Sequence, residues 1–181
     1  MPTTARLFVA VAALACLAAC APPPPPPVPV PVHVPLQTPA EMIASAKAVD
    51  DAFVAAFNKA DAEAIAATYW NSPDAVSYQP DSMELKGFEA IKAGFAQSLP
   101  AMGGAQIAIT SANYVPVGED TVLANGNWTM SFPVPEGAAA PPSLAGRFSA
   151  VMRRKDGRWV YVMDHASVPL PPPPSAETAK P

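Results

Sequence analysis

The chain has 181 residues, with 11 Lys and Arg against 15 Asp and Glu, so its formal net charge is −4. No nucleic-acid partner is expected, because phosphate groups favour a basic surface and this chain is acidic. Both cysteines, Cys16 and Cys20, lie within the first 20 residues, so the rest of the chain contains no disulfide, no cysteine zinc site and no cysteine nucleophile.

Residues 1–19 have the pattern of an export signal, in which Arg6 is followed by a small and apolar run that ends at Ala19. This run is too short for a permanent membrane helix. The sequence Leu-Ala-Ala-Cys that ends at Cys20 resembles the lipobox of bacterial lipoproteins, whose cysteine is acylated. We therefore expect a lipid anchor at Cys20, in preference to an ordinary secretory signal with an incidental cysteine.

The residues around Cys20 refine this expectation. Cys16 fits the lipobox less well, because Ala13 stands where the pattern prefers Leu. In bacterial lipoproteins an acidic residue after the cysteine tends to retain the protein at the inner membrane, and here that residue is Ala21. The resemblance therefore implies attachment to the outer membrane of a bacterial envelope, facing the periplasm.

Residues 20–38 are so rich in proline that neither a helix nor a sheet ladder is expected. A polyproline II spacer of this length holds the domain on the order of 50 Å from the lipid. The alternative is a docking ligand for an aromatic groove. His33 lies in this tether and has no assigned role. The tail, residues 169–181, repeats the composition and is predicted to be disordered, which leaves residues 39–168 as one domain.

Three amphipathic helices are predicted at the start of this domain. The first begins at residues 38–41, Thr-Pro-Ala-Glu, which combine a capping hydroxyl, a proline at the first helical position and a carboxylate three residues after the cap. Asp61 is predicted to cap a second helix over 62–70, and a third covers 87–99. The apolar face of the first helix consists of Met42, Ala46, Val49, Phe53 and Phe57.

After residue 104 the apolar period changes from helical to alternating, which is typical of half-buried strands. Strands are predicted over 105–117 and 121–134, followed by a hairpin over 143–168 that turns at Asp156-Gly157. A short strand over 74–79 lies among the helices. The predicted fold class is therefore α+β, with three helices on one face of a curved antiparallel sheet.

Four segments carry a resemblance to a known superfamily: "AAFNKADAEAI", "DAVSYQP", "KGFEAIKAGF" and "KDGRWVYVMDHAS". Together they resemble the NTF2-like superfamily, and within it the SnoaL-like and DUF4440 domains. The resemblance implies a cone, in which the curved sheet wraps the long first helix around a pocket. It also implies a homodimer formed through the sheet.

The resemblance allows one catalytic comparison. The ketosteroid isomerases of this superfamily use a pocket aspartate as a base and a tyrosine that donates to the developing oxyanion. The residues at the matching positions are Gln79 and Phe53. Glutamine does not accept a proton near neutral pH, and phenylalanine has no donor. Isomerase chemistry of that type is therefore not expected.

His165 is the candidate catalytic residue if the domain is an enzyme, because simple alternation places it in the row of Trp159 and Tyr161. Asp164 then points to the opposite face, so the two do not form a triad-like pair. The alternative is a buried histidine with a structural hydrogen bond. The residues expected to line a ligand pocket are Phe53, Tyr69, Tyr78, Gln79, Trp128, Arg147 and His165.

Two functions of different classes follow. The first is a non-catalytic module that binds a small apolar molecule in the cone or pairs with a protein partner, as Phe53 and Gln79 favour. The second is a SnoaL-like isomerase or cyclase that uses His165 as an acid or base, with Tyr78 or Arg147 as its partner. No cofactor is predicted, and no metal either, because one histidine without a second ligand is far from a zinc site.

Overall fold

The structure is a computed structural model that describes residues 36–80, 82–134, 136–139 and 143–170. The predicted signal, Cys20, His33, most of the tether and residues 171–181 of the tail lie outside these residues. Among the described residues, no helix has the length and apolar character needed to cross a membrane.

The helices follow the capping signals of the sequence. The first, α1, spans Pro39–Phe57, with the predicted capping box: the Thr38 hydroxyl accepts from the Glu41 N–H at 3.3 Å, and the Glu41 carboxylate accepts from the Thr38 N–H at 2.7 Å. The second, α2, spans Ala62–Ala66 and is capped by Asp61. The third, α3, spans Phe88–Ala101.

The second helix is shorter than the predicted 62–70, because the backbone after it turns to pair with the sheet. The Tyr161 N–H donates to the Thr68 carbonyl at 2.9 Å, and the Trp70 N–H donates to the Tyr161 carbonyl at 2.9 Å. These bonds replace the helical ones. Tyr69 thus enters the core from an extended segment, where it is 1% exposed.

Six strands form a single sheet. Their ranges are β1 (Val76–Tyr78), β2 (Glu84–Lys86), β3 (Gln106–Val117), β4 (Thr121–Ser131), β5 (Leu144–Lys155) and β6 (Arg158–Ser167). The sheet order is β2-β1-β6-β5-β4-β3. All neighbours are antiparallel except β1 and β6, which are parallel. The predicted class is confirmed, and the short β2 is an addition to the predicted strands.

The β5–β6 hairpin contains a turn and a bulge that set the direction of its side chains. Asp156 and Gly157 have φ angles of 50° and 77°, as a tight two-residue turn requires, so the predicted turn is confirmed. Farther along, Val151 pairs with Met163 but Met152 pairs with Tyr161, so Val162 is an extra residue in β6. A bulge of this kind reverses the alternation beyond it.

The hydrophobic core lies between the helices and one face of the sheet, which we call the inner face. The helices and the sheet both contribute to it, for example Met42 and Phe57 of α1, Ile91 and Phe95 of α3, and Met152 of β5. Met42 and Phe57 belong to the predicted apolar face of α1. The opposite face of the sheet, the outer face, carries the exposed side chains of β4 and β5.

Candidate functional site

A cavity of about 290 Å³ lies between α1 and the inner face of the sheet. Such a volume suits a small ligand, and an apolar wall with few polar groups is the usual composition of a binding site. Four polar side chains line it: Asp50, Gln79, Tyr161 and Asp164. The rest of the wall consists of Phe53, Val54, Phe57, Pro80, Met102, Ile107, Ile109, Trp128, Met130, Phe132, Leu144, Phe148, Ala150 and Ala166.

The bulge at Val162 decides which residue of β6 enters this cavity. Because alternation reverses there, Tyr161 and Asp164 lie on the same inner face, and both line the cavity. His165 lies on the outer face and is exposed. The expectation that His165 faces the cone is therefore wrong, and so is the alternative of a buried histidine. Asp164 and His165 lie on opposite faces of the sheet, as alternation of adjacent strand residues predicts.

Asp164 is the most perturbed carboxyl group of the site. Its Oδ1 atom is buried and has no hydrogen-bond partner of good geometry among the described residues, although part of the residue borders the cavity. Burial raises its pKa to about 7 from an ordinary 3.8, against the opposing effect of hydrogen bonding with Ser77 and Tyr69. The carboxyl group therefore changes its protonation state near neutral pH.

Two polar side chains, Ser77 and Gln79, continue from the Asp164 carboxyl along β1 to the residue that follows its end. Ser77 pairs with Asp164 across the parallel β1–β6 ladder and is fully buried. The Gln79 side chain lines the cavity and donates from Nε2 to the Ser77 hydroxyl. Gln79 thus acts as a donor that orients Ser77.

Asp50 is a second buried carboxyl group, on the α1 side of the cavity. It is 1% exposed and accepts hydrogen bonds from the Tyr161 hydroxyl and, at 2.6 Å, from the Tyr114 hydroxyl. Burial raises the pKa of Asp50, and the two tyrosine hydrogen bonds oppose that rise. Burial beside this carboxyl also raises the pKa of Tyr161 and Tyr114. The three groups form a satisfied polar cluster in an apolar wall.

Phe53 occupies the centre of an aromatic cluster at the base of the cavity. Its ring contacts Tyr161 at 6.0 Å and Phe95 at 5.8 Å between centroids, both edge to face, and Tyr69 at 6.5 Å. Tyr69 lies beneath the wall in the core and does not itself line the cavity. Phe53 therefore contributes aromatic packing and no hydrogen-bond donor to the cavity wall.

Trp128 forms part of the cavity wall because Gly146 leaves room for its ring. A Cβ atom added to Gly146 would lie 2.2 Å from Trp128 Cζ2, so no other residue fits beside the ring in this position. The indole Nε1 donates to the Arg147 carbonyl at 3.1 Å, which satisfies its one donor. Trp128 is thus an apolar surface toward the cavity, with no free polar group.

Two other predicted pocket residues lie on the outer face with His165. Tyr78 is 39% exposed, its hydroxyl donates to Glu84 at 3.0 Å, and its ring contacts His165 edge to face. Arg147 is exposed on β5. Of the seven predicted residues, Phe53, Gln79 and Trp128 line the cavity, Tyr69 lies behind it, and the remaining three are separated from it by the sheet.

Sequence reasoning missed Asp164 and Asp50, the two groups with the most distinctive chemistry. Simple alternation predicts that Asp164 lies on the outer face, and the bulge that reverses this alternation has no signal in the sequence. Asp50 lies on the apolar face of α1, next to Val49 and one turn before Phe53. A carboxyl group at a position predicted to be buried is unusual, so the sequence does contain a signal for this residue.

The polar side chains of this site carry carboxyl, hydroxyl and amide groups. Within the described ranges, no group of three or more His, Cys, Asp and Glu side chains is arranged to hold a metal ion. A carboxyl with a pKa near neutrality in an apolar cavity is able both to accept and to donate a proton. The arrangement therefore suits a small, mostly apolar molecule that carries one polar group.

Solved structures with a similar fold come from several bacteria. A Salmonella enterica protein of the nuclear transport factor 2 (NTF2-like) superfamily has a TM-score of 0.64 at 14% identity, over 76% of this chain and 97% of its own. A Caulobacter vibrioides protein with a cystatin-like fold scores 0.62 at 18% identity, over 72% and 92%. An NTF-2 like protein of unknown function from Shewanella oneidensis scores 0.57 at 18% identity, over 71% and 98%.

These structural similarities, together with the curved sheet that packs on the helices and encloses a cavity, define the class of protein. It is a domain of the NTF2-like fold. The SnoaL-like domain model matches residues 46–171 of the sequence, which is most of the chain. The chain therefore belongs to the SnoaL-like domain family, and the resemblance read from the sequence is confirmed. No curated protein matches the chain in sequence.

Proposed function

We propose that this SnoaL-like domain binds a small, largely apolar molecule in its cavity, with a polar group of that molecule meeting Asp164. The buried carboxyl oxygen of Asp164, without a well-formed partner in an otherwise apolar wall, is the observation that carries the proposal. Because the hydrogen bonding of this carboxyl with Ser77 and Tyr69 leaves Oδ1 without a partner of good geometry, a ligand donor placed against Oδ1 makes a hydrogen bond that the protein itself does not make.

Binding is tested with N-phenyl-1-naphthylamine, a neutral apolar probe that fluoresces when it leaves water. We expect saturable fluorescence with the full chain and at least about tenfold weaker binding to Ala166→Phe, which fills the cavity from its wall. Ala145→Phe is the matched control, because it adds the same ring on the exposed outer side of β5. Equal binding by Ala166→Phe and the wild type would contradict the proposal.

Acid–base catalysis on the bound molecule is a second candidate function, favoured by the pKa of about 7 at Asp164. In that reaction the ionised carboxylate takes a proton from carbon beside a carbonyl, and returns a proton to the same molecule. Asp164 takes the acid–base role that the sequence analysis assigned to His165, because His165 faces away from the cavity.

The catalytic candidate is tested by exchange of the α-hydrogens of 2-tetralone with D₂O, followed by proton NMR. We expect the wild-type chain to accelerate exchange with a rate that rises with pH through about 7, as Asp164 ionises. Asp164→Asn should lose on the order of 10²-fold or more of that rate, the usual worth of a positioned base. Exchange that survives in Asp164→Asn but is lost in His165→Gln would refute the assignment.

We further propose that the domain is attached through Cys20 to the bacterial outer membrane and faces the periplasm, as the lipobox pattern of the sequence supports. Cys20→Ala should move the full chain from the membrane fraction to the soluble fraction, and a variant that stays in the membrane fraction would exclude this anchor.

A homodimer through the sheet is also proposed. Its support is an exposed apolar patch on the outer face made of Val115, Val117 and Leu123.

A further inference from the structure

The outer face of the sheet carries a second concave site, a polar groove of about 340 Å³ across β4, β5 and β6. It lies on the opposite side of the sheet from the apolar cavity and is independent of the function proposed there. None of its lining residues belongs to the apolar patch of Val115, Val117 and Leu123 proposed for the homodimer. Six polar side chains line this outer groove: Asn125, Asn127, Arg147, Ser149, His165 and Ser167.

The strand register brings together the guanidinium of Arg147 and the imidazole of His165 in the outer groove. Arg147 pairs with Ser167 across the β5–β6 ladder, and Ser149 pairs with His165. Arg147 and His165 are therefore diagonal neighbours on one face, a relation that places Cβ atoms roughly 7–8 Å apart and within reach of long side chains. An oxygen atom between them is able to meet both groups.

Hydrogen bonding leaves donors available in the outer groove. The Arg147 Nε atom donates to the Ser167 hydroxyl at 3.2 Å, and the guanidinium Nη atoms have no protein partner among the described residues. The imidazole of His165 makes an edge contact with the Tyr78 ring, which fixes one side of it without using its nitrogens. Asn127 donates from its amide to Ser111 at 2.9 Å, which orients it at the rim.

The charge of the outer groove is unusual for this chain. The chain as a whole has a net charge of −4, yet no Asp or Glu side chain lines the groove. The carboxylate of Glu84 on β2 lies beyond the edge of the groove, where it accepts a hydrogen bond from the Tyr78 hydroxyl at 3.0 Å. A guanidinium, an imidazole and hydroxyl and amide donors without a carboxylate form a set that suits a negatively charged oxygen ligand.

We propose that the outer groove binds a small oxyanion, a phosphate or carboxylate group, held by Arg147 and His165 with Ser149 as a neutral donor. Charge-assisted hydrogen bonds from a guanidinium are the strongest contacts available to such a group. The site is distinct from the cavity, so a molecule in the cone and an anion on the outer face bind at the same time.

The proposal is tested by NMR on the full chain, by following the His165 ring resonances during titration with sodium phosphate, sodium acetate and, at matched ionic strength, sodium chloride. Assignment comes from the signal that His165→Gln removes. We expect a saturable shift with phosphate or acetate and none with chloride, and the anion with the larger response identifies the ligand class. Arg147→Gln should weaken the apparent affinity at least about tenfold.

Arg158→Gln is the matched control, because it removes the same charge at the exposed turn end of β6, outside the groove. It should leave the titration unchanged. If Arg147→Gln does not fold, Ser149→Asp provides the second variant, since a carboxylate at this exposed position competes for Arg147 and should abolish the shift. A response that is linear, is equal for chloride, or persists in the folded Arg147→Gln or Ser149→Asp chain would overturn the proposal.

Discussion

Asp164→Asn is expected to be more stable than the wild type at pH 8, by up to about 4 kcal/mol. The estimate follows from a pKa that rises from 3.8 to about 7 on folding, at about 1.4 kcal/mol for each pH unit. Because the folded pKa is the higher one, the folded state binds more protons than the unfolded state between these values. Wild-type stability therefore falls as the pH rises from about 4 to about 7.

Replacement by asparagine removes this ionisation while it keeps the shape of the side chain. The free energy of unfolding is measured by urea denaturation at several pH values. In the wild type it should decline relative to Asp164→Asn across that pH window. At higher pH the wild type should stay less stable than Asp164→Asn by a constant difference. Asp74→Asn is the control, because it makes the same chemical change on an exposed residue and should shift stability by no more than about 0.5 kcal/mol. Parallel curves for Asp164→Asn and the wild type would contradict the placement of Asp164.

A gain in stability on loss of an ionisable group is typical of functional sites rather than of packing sites. A carboxyl buried in an apolar wall is retained at a cost, and acid–base sites are where such costs concentrate. If Asp164→Asn is more stable and also loses 2-tetralone exchange, the catalytic candidate gains direct support. If the wild-type chain binds N-phenyl-1-naphthylamine but does not accelerate 2-tetralone exchange, the binding function is favoured over the catalytic one.

The sequence predicted the fold well where local signals are strong. The capping box at Thr38, the apolar stripe of α1 and the Asp156-Gly157 turn each depend on a few adjacent residues, and each is present. The end of α2 was predicted too late, because Tyr69 and Trp70 leave the helix to pair with Tyr161, a residue far along the chain. Tertiary pairing of that kind overrides local propensity.

The candidate site was predicted less well, because it depends on a single extra residue in β6. Simple alternation places His165 inside and Asp164 outside, and the bulge at Val162 exchanges them. One shifted residue moves every following side chain to the other face. The residues of α1, whose direction is set by a regular helix, were placed correctly, as Phe53 shows.

Asp50→Ala is expected to destabilise the domain by about 2–4 kcal/mol, because it leaves the hydroxyls of Tyr161 and Tyr114 without their acceptor. Both tyrosines are buried or half-buried, so water does not readily replace the lost bond. Asp50→Asn retains an acceptor oxygen and should lose less. Urea denaturation at pH 7 measures each difference.

The neighbouring residue provides the control for this prediction. Asp51 has the same chemistry but lies on the exposed side of α1, where it pairs with Lys47 at 2.7 Å. Exposed pairs one turn apart contribute about 0.3–0.5 kcal/mol, so Asp51→Ala should change little. If Asp50→Ala were as stable as Asp51→Ala, the Asp50 cluster would have no structural role, and its tyrosines would be stabilised in another way.

The candidate site depends on Asp164, which faces an apolar cavity and has a carboxyl that titrates near neutral pH. The most direct test is the carboxyl ¹³C chemical shift of Asp164 as a function of pH, assigned by the signal that Asp164→Asn removes. The structure predicts a midpoint near about 7. A midpoint close to the ordinary 3.8 would show that the carboxyl is solvated, and that the cavity does not hold it as described.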